Sequence, residues 1–293
     1  MTDPSEPPAV RGGLSLRELV LAALDEDIGE GDRTSERTIP DDQESSAVIV
    51  AKESVVVSGS PAVLEVFGSV DPELSVMPHA VDGDHLEAGD VVFSIRGRTR
   101  SILRGERVAL NFLAHLSGVA TTTARYMERM TGTAAQILDT RKTTPGWRVL
   151  EKAAVCHGGG TNHRFGLDDM ILIKDNHVAA AGGVAEAVRR ARAGKGDPLE
   201  VEIEVSDLDS LRAVLPLEPD RVLLDNMSVD LLREAVDIRR STGSVRPALE
   251  ASGNVTMETI RAIAETGVDY VSVGALTHSA PAADFSLRIM ESS

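Results

Sequence analysis

A chain of 293 residues is long enough to bury a sizeable core, and it suits either one α/β barrel with an accessory domain or two separate domains. Its 46 acidic against 30 basic side chains give a formal net charge of −16, which argues against nucleic acid or an anionic membrane surface as the main partner. The single cysteine, Cys156, excludes an intrachain disulfide; no apolar run reaches the roughly 18 residues of a membrane span, and the acidic, proline-rich start lacks an apolar signal core, so a cytoplasmic protein is expected.

In chain order, residues 1–13 read as a mobile tail, and residues 14–27 as an amphipathic helix with Leu16, Leu19, Val20, Ala23 and Leu24 on one face, ended by Gly29 and Gly31. Residues 47–57 read as strand, 61–67 as a short helix, and 91–95 as a strand after turns at Asp82-Gly83-Asp84 and Gly89-Asp90. Residues 101–116 carry Ile102, Leu103, Val108, Leu110, Phe112 and Leu113, the pattern of a long, largely buried helix. The domain boundary is expected near it: an N-terminal α+β domain over 14–116, then residues 117–279.

From Ala134 the pattern becomes short apolar strands alternating with helices, at residues 135–138, 170–173, 200–205, 221–224, 248–251 and 270–273. Such alternation predicts parallel βα units, and six strands predict an open, incomplete α/β barrel. Polar groups stand at the strand ends: Arg141 and Lys142, Lys174, Glu204, Asp225, Ser252-Gly253 and Gly274. In a barrel of parallel strands that rim carries ligands and catalysis. A doubly wound sheet competes, but no Gly-x-Gly-x-x-Gly or phosphate-loop pattern follows any of these strands.

Two stretches concentrate cations in this acidic chain: Asp139-Thr140-Arg141-Lys142-Thr143-Thr144-Pro145-Gly146, and Gly158-Gly159-Gly160-Thr161-Asn162-His163-Arg164. Cations beside glycines and turns point to a small, multiply anionic ligand, against the plainer reading of solvated surface charge. Lys174 at a rim reads as a Schiff-base nucleophile, a phosphate ligand or a solvated strand end. Glu204 and Asp225, hard oxygen donors on successive strand ends, suit magnesium held through water and phosphate, or merely pair with nearby cations. Cys156, His157 and His163 lack the further thiolates of a zinc site. Ser252-Gly253-Asn254 and Gly274 suit a phosphate at late barrel loops, or an ordinary helix cap.

The two stretches above, together with Leu172-Ile173-Lys174-Asp175-Asn176-His177, resemble those of the quinolinate phosphoribosyltransferase family. So do Glu26-Asp27-Ile28-Gly29, Gly31-Asp32-Arg33-Thr34, Gly105-Glu106-Arg107-Val108-Ala109-Leu110-Asn111, Glu202-Ile203-Glu204-Val205, Leu224-Asp225-Asn226-Met227, Glu250-Ala251-Ser252-Gly253-Asn254 and Ser272-Val273-Gly274-Ala275-Leu276-Thr277-His278. The resemblance spans nearly the whole chain. It weakens over residues 147–157, where Trp147 and Ala153 stand in place of leucine and tyrosine.

The resemblance implies a magnesium-dependent transfer of phosphoribosyl from phosphoribosyl pyrophosphate to quinolinate, with decarboxylation to nicotinate mononucleotide, in NAD biosynthesis and without an organic cofactor. It implies Arg107, Arg141, His163, Arg164 and Lys174 around quinolinate, with Lys142 between quinolinate and pyrophosphate. Glu204 and Asp225 are then expected at the ribose and the magnesium ion, and Ser252, Gly253, Gly274 and His278 at the 5′-phosphate. It further implies a last segment, residues 280–293, that returns to the first domain, and a homodimer in which Arg107 enters the partner's site. A Schiff-base aldolase using Lys174 and a phosphate-binding relative associated with molybdenum transport are the alternatives.

Overall fold

The computed structural model describes residues 14–194 and 199–290, so the expected tail over residues 1–13 lies outside the described residues. The chain divides into two compact units: Met1–Ala124 with Thr143–Gly159 and Ser279–Ser293, and Arg125–Lys142 with Gly160–His278. The expected segments ran without interruption from 14 to 116 and from 117 to 279. Here the segment after Lys142 belongs to the first unit instead.

The first unit opens with α1 (Leu16–Ile28), which begins where Ser15 and Glu18 cap each other's backbone N–H groups and stops at Gly29, whose φ of 50° few side chains adopt. Val20 and Leu24 are its buried stripe. There follow α2 (Arg33–Thr38), β1 (Glu44–Ala51), β2 (Val55–Val56), α3 (Ser60–Val70), β3 (Ser75–Pro78), β4 (His85–Leu86), β5 (Val91–Arg98) and α4 (Thr99–Arg129). The last strand of the chain, Phe285–Ile289, pairs antiparallel with β1, giving a sheet ordered last strand, β1, β5, β3. Ala47, Ile49, Phe93 and Ile95 pack with Val63, Phe67, Ile102 and Phe112 from the helices into one apolar core.

Two elements differ from the sequence expectation. The strand expected over residues 47–57 breaks at Lys52–Glu53–Ser54, because β2 leaves the main sheet to pair with β4. Helix α4 runs 31 residues, thirteen past Leu116 at its C-terminal end (116 to 129). Gly118 and the run Thr121-Thr122-Thr123 have low helix propensity and hide this extension. Burial of Val119, Ala120 and Thr123 outweighs that propensity, and the Thr123 hydroxyl donates to the Val119 carbonyl within the same helix.

The segment after Lys142 forms α5 (Arg148–His157), anchored at its start by Trp147. The indole stacks on Phe112 with centroids 4.5 Å apart and planes 8° from parallel, and His115 meets it edge-on. Glu151 of α5 is fully buried; its carboxylate accepts from the Thr144 N–H at 3.0 Å and pairs with His115 Nε2 at 2.8 Å. These contacts pin the turn Thr143–Gly146.

The second unit is built on six parallel strands: β6 (Gln136–Leu138), β7 (Ile171–Ile173), β8 (Val201–Val205), β9 (Arg221–Asp225), β10 (Ala248–Ser252) and β11 (Tyr270–Ser272). Their spatial order is β6, β11, β10, β9, β8, β7, so the two strands first in sequence are the outer two. Helices α6 (Asp175–Ala181), α7 (Val184–Arg192), α8 (Leu208–Val214), α9 (Val229–Ser241), α10 (Ile260–Ala264) and α11 (Ala275–His278) alternate with them. Eight such units close a barrel; six leave it open, and the fold is an open α/β barrel preceded by an α+β unit.

The Trp147 anchor carries a stability prediction. Trp147→Ala should lower the unfolding free energy by about 2 kcal/mol, the loss of a half-buried aromatic pair. Trp147→Leu should cost less than half of that, as read by urea unfolding followed by circular dichroism.

Candidate active site

The C-terminal ends of the six strands surround a cavity of about 830 Å³. Strand alternation explains its lining: in a period of two, Glu204, Asp225, Ser252 and Ser272 all stand on the inner face at the last turn of their strands. The loop after β6 contributes Arg141 and Lys142, the next loop His163 and Arg164, and the end of β7 Lys174. Gly253, Gly274 and His278 complete the opposite wall. Among the residues expected from the sequence, Arg107 alone is not part of this lining; it is an exposed residue on α4 of the first unit.

Positive and negative groups face each other across the cavity. Lys174 Nζ donates to the Glu204 carboxylate, an ion pair that gives Lys174 a partner in place of the free amine that carbonyl attack requires. Asp225 accepts from Asn226 Nδ2 at 2.8 Å, and Asn226 Oδ1 accepts from Asn254 Nδ2 at 3.0 Å, so the two asparagines tie the ends of β9 and β10 together. Both asparagines have positive φ, 53° and 50°. Gly253 between these ends has φ of 95°, and a Cβ there would lie 2.2 Å from Asn226 Oδ1. Only glycine fits that contact. Lys142 is held through its backbone, whose carbonyl accepts from the Thr277 hydroxyl at 2.8 Å. Burial, and then Arg141, lower the pKa of Arg164, the mark of two guanidinium groups sharing one small space.

Beneath this rim lies a charged cluster that the sequence reading did not single out. Glu202 and Glu250 are fully buried, each two residues before Glu204 and Ser252 on its strand, and Arg221 on β9 is level with Glu202 in the strand register. Arg221 donates to Glu250 at 2.9 Å and lies 4.2 Å from the centre of the Tyr270 ring. His163 Nε2 is 3.0 Å from Glu202 and 3.5 Å from Glu250. The contact to Glu202 is an ion pair in poor hydrogen-bond alignment, since neither Glu202 oxygen nor Glu250 Oε1 has an aligned partner among the described residues. On its other side the ring accepts the Arg164 backbone N–H at Nδ1, 2.7 Å away. The signal for the cluster is in the sequence: Glu202 precedes Glu204 by two residues, Glu250 precedes Ser252 by two, and Arg221 precedes Asp225 by four, so each shares the inner face.

Interiors of parallel barrels are normally filled by branched apolar side chains, so this cluster must balance its own charge. Burial, then Glu250, raise the Glu202 pKa to about 7. Burial opposes charge on His163, but the two carboxylates prevail and raise the affinity for a proton around its ring. Glu250 is held below its ordinary value because His163 and Arg221 outweigh its burial. These shifts have one origin: two carboxylates and one guanidinium leave a buried negative charge that an added proton cancels. In such a coupled set the proton belongs to the cluster. With Nδ1 occupied by the Arg164 amide, it resides on the carboxylate side. The folded protein therefore binds this proton more tightly than the unfolded chain, and stability falls as pH rises from about 4.5, the ordinary value for Glu202, through about 7, its value in the folded protein. Urea unfolding at pH 5 and pH 9 should show a loss on the order of 2 kcal/mol. Glu202→Gln should flatten the profile, and a flat wild-type profile would sink the assignment.

Among the described residues no helix is long and apolar enough to cross a membrane. The family model for the quinolinate phosphoribosyl transferase N-terminal domain matches residues 32–117, and that for the C-terminal domain matches residues 119–288. The chain is 40% identical over 276 residues to a probable nicotinate-nucleotide pyrophosphorylase [carboxylating] of Bacillus subtilis, covering 94% of both chains. It is 42% identical over 278 residues to the nicotinate-nucleotide pyrophosphorylase [carboxylating] of Mycobacterium leprae, covering 93% of this chain and 96% of that one. The solved nicotinate-nucleotide pyrophosphorylase of Francisella tularensis superposes with a TM-score of 0.89 at 39% identity, covering 94% of this chain and 96% of the other. Two matching domain models and relatives at this level over nearly the full length lead to one conclusion: the chain belongs to the quinolinate phosphoribosyl transferase family.

Proposed function

We infer that this protein is an enzyme of pyridine nucleotide biosynthesis, a quinolinate phosphoribosyltransferase that joins quinolinate to the ribose of phosphoribosyl pyrophosphate and releases pyrophosphate and carbon dioxide. The observation that carries the reading is the cavity itself: Arg141, Lys142, Arg164 and Lys174 share one rim with the carboxylates Glu204 and Asp225. Quinolinate is a dianion, and paired guanidinium groups suit its two carboxylates. Pinning both carboxylates aims the ring nitrogen at C1 of the ribose, and such positioning removes several kcal/mol, on the order of 7 or more, from a bimolecular barrier.

As pyrophosphate departs, positive charge develops at the ribose, and Glu204 and Asp225 are placed to stabilise it while Lys142 stabilises the leaving group. Lys174 exchanges its contact with Glu204 for the incoming dicarboxylate, which frees Glu204 for the ribose. Glu204 and Asp225 suit magnesium, a hard cation that takes one or two carboxylates together with substrate phosphates. Bound there, the ion would neutralise charge on the pyrophosphate. Ser252, Gly253, Gly274 and His278 suit the 5′-phosphate, with the hydroxyl and the exposed backbone N–H groups as donors. Once the ring nitrogen is quaternary it stabilises the electron pair left on the adjacent carbon as carbon dioxide departs, and that carbon then takes a proton from solvent, so no covalent enzyme intermediate is needed. A cytoplasmic setting fits these substrates.

Substrate choice tests the reading. Quinolinate should be turned over and nicotinate, which lacks the second carboxylate, should not, because a guanidinium left without its partner is costly. Discrimination should exceed about a hundredfold in kcat/KM, and equal turnover of both acids would refute the assignment.

Assembly is the second test. We propose a homodimer in which Arg107, exposed on α4, completes the partner's site, as two-fold symmetry allows. Arg107→Ala and Lys142→Ala homodimers should each be inactive. In a hybrid, one site carries both substitutions and the other carries none, so activity should return on subunit exchange. Verified hybrids without activity would remove Arg107 from the partner's site.

A further inference from the structure

We propose that Glu202 and Glu250 are positioning residues of the anion site: acting through His163, they hold the Arg164 peptide and keep its guanidinium beside that of Arg141. The inference rests on the reading of this cavity as a dicarboxylate site and assigns a different part of it. It begins with the His163 ring, which is used by the protein at both nitrogens: Nε2 lies 3.0 Å from Glu202 and 3.5 Å from Glu250, and Nδ1 accepts the Arg164 N–H at 2.7 Å. The His163 N–H itself donates to Asp139 at 2.8 Å, and Asp139 is fully buried at the end of β6. The ring is therefore a strut between the barrel interior and the loop that carries Arg164.

A strut is needed because of charge. Arg164 is disfavoured as a cation first by burial and then by Arg141, and Glu202 is one of the groups that oppose this. Left to itself, Arg164 would relieve the repulsion by turning away from Arg141. Its guanidinium makes a 3.3 Å contact to the Met170 carbonyl, too long and too weak to hold it alone. The charged groups around the ring are Glu202 from β8, Glu250 from β10 with Arg221 of β9 behind it, Asp139 after β6, and Arg164 in its own loop. His163 thus serves the anion site by orienting Arg164, and Glu202 serves it by orienting His163.

The test separates orientation from general structure. Glu202→Leu removes the group facing Nε2 and should raise the KM for quinolinate on the order of tenfold, the scale of one lost hydrogen-bonded contact. The kcat and the KM for phosphoribosyl pyrophosphate should stay within about twofold of wild type, on the same scale. Glu202→Gln, whose amide oxygen still faces Nε2–H, should restore the quinolinate KM. Loss of kcat and of both KM values together, or a glutamine variant as impaired as the leucine one, would overturn the proposal. A second measurement needs no substrate: the long-range ¹H–¹⁵N spectrum of the ligand-free protein near pH 7 should show His163 with a bare Nδ1 and a proton on Nε2. A proton on Nδ1 would overturn the strut. Failure of the wild type to use quinolinate would instead refute the functional reading and leave that spectrum unchanged.

Discussion

Like charges do not share a small cavity unless something holds them there. Arg141, Lys142, Arg164 and Lys174 converge on one rim in a chain whose net charge is −16, and the lowered pKa of Arg164 registers the cost. Much of what surrounds the rim answers that cost. Lys174 rests on Glu204, Lys142 is fixed through its backbone by Thr277, and Arg164 is supported by the His163 ring. An anion arriving at such a site meets donors already in place, so little of the binding energy goes into assembling them.

The same constraint explains an interior that departs from the apolar rule for parallel barrels. Glu202, Glu250 and Arg221 form a fully or largely buried ionic layer, and buried ion pairs seldom improve stability over apolar packing of similar volume. What the layer supplies is negative potential directly below a crowd of cations, and a fixed support for the ring that touches them. Its raised proton affinity follows from the same arrangement, because two carboxylates outnumber the one guanidinium among them.

The first unit solves a separate problem. The turn that follows Lys142 closes with one backbone hydrogen bond, from the Trp147 N–H to the Thr144 carbonyl at 3.0 Å across Pro145 and Gly146, and needs further support. Its order comes from Glu151, which takes the Thr144 N–H, and from the Trp147 ring stacked on Phe112. Trp147 stands where the sequence resemblance led to the expectation of a leucine, and the ring fills its place by stacking.

The strands of the barrel, their number to the last one, and the polar residues at their ends were legible in the sequence because strand period and turn chemistry are local properties. The motifs from Asp139 to Gly146 and from Gly158 to Arg164 carried the chemistry of the site for the same reason: cations, glycines and turns announce themselves without a partner. The extension of α4 past Leu116 was not legible, since Gly118 and three threonines lower its local helix propensity and only packing of Val119 and Ala120 overrides them. Nor was the break after Ala51, which depends on β2 finding β4. The ionic layer lay between these cases. Alternation puts Glu202, Arg221 and Glu250 on the inner face, but that His163 sits among them, with Nε2 on the carboxylates and Nδ1 on the next amide, was decided by tertiary structure alone, because it joins three strands and a loop that are separated by up to 87 residues (163 to 250).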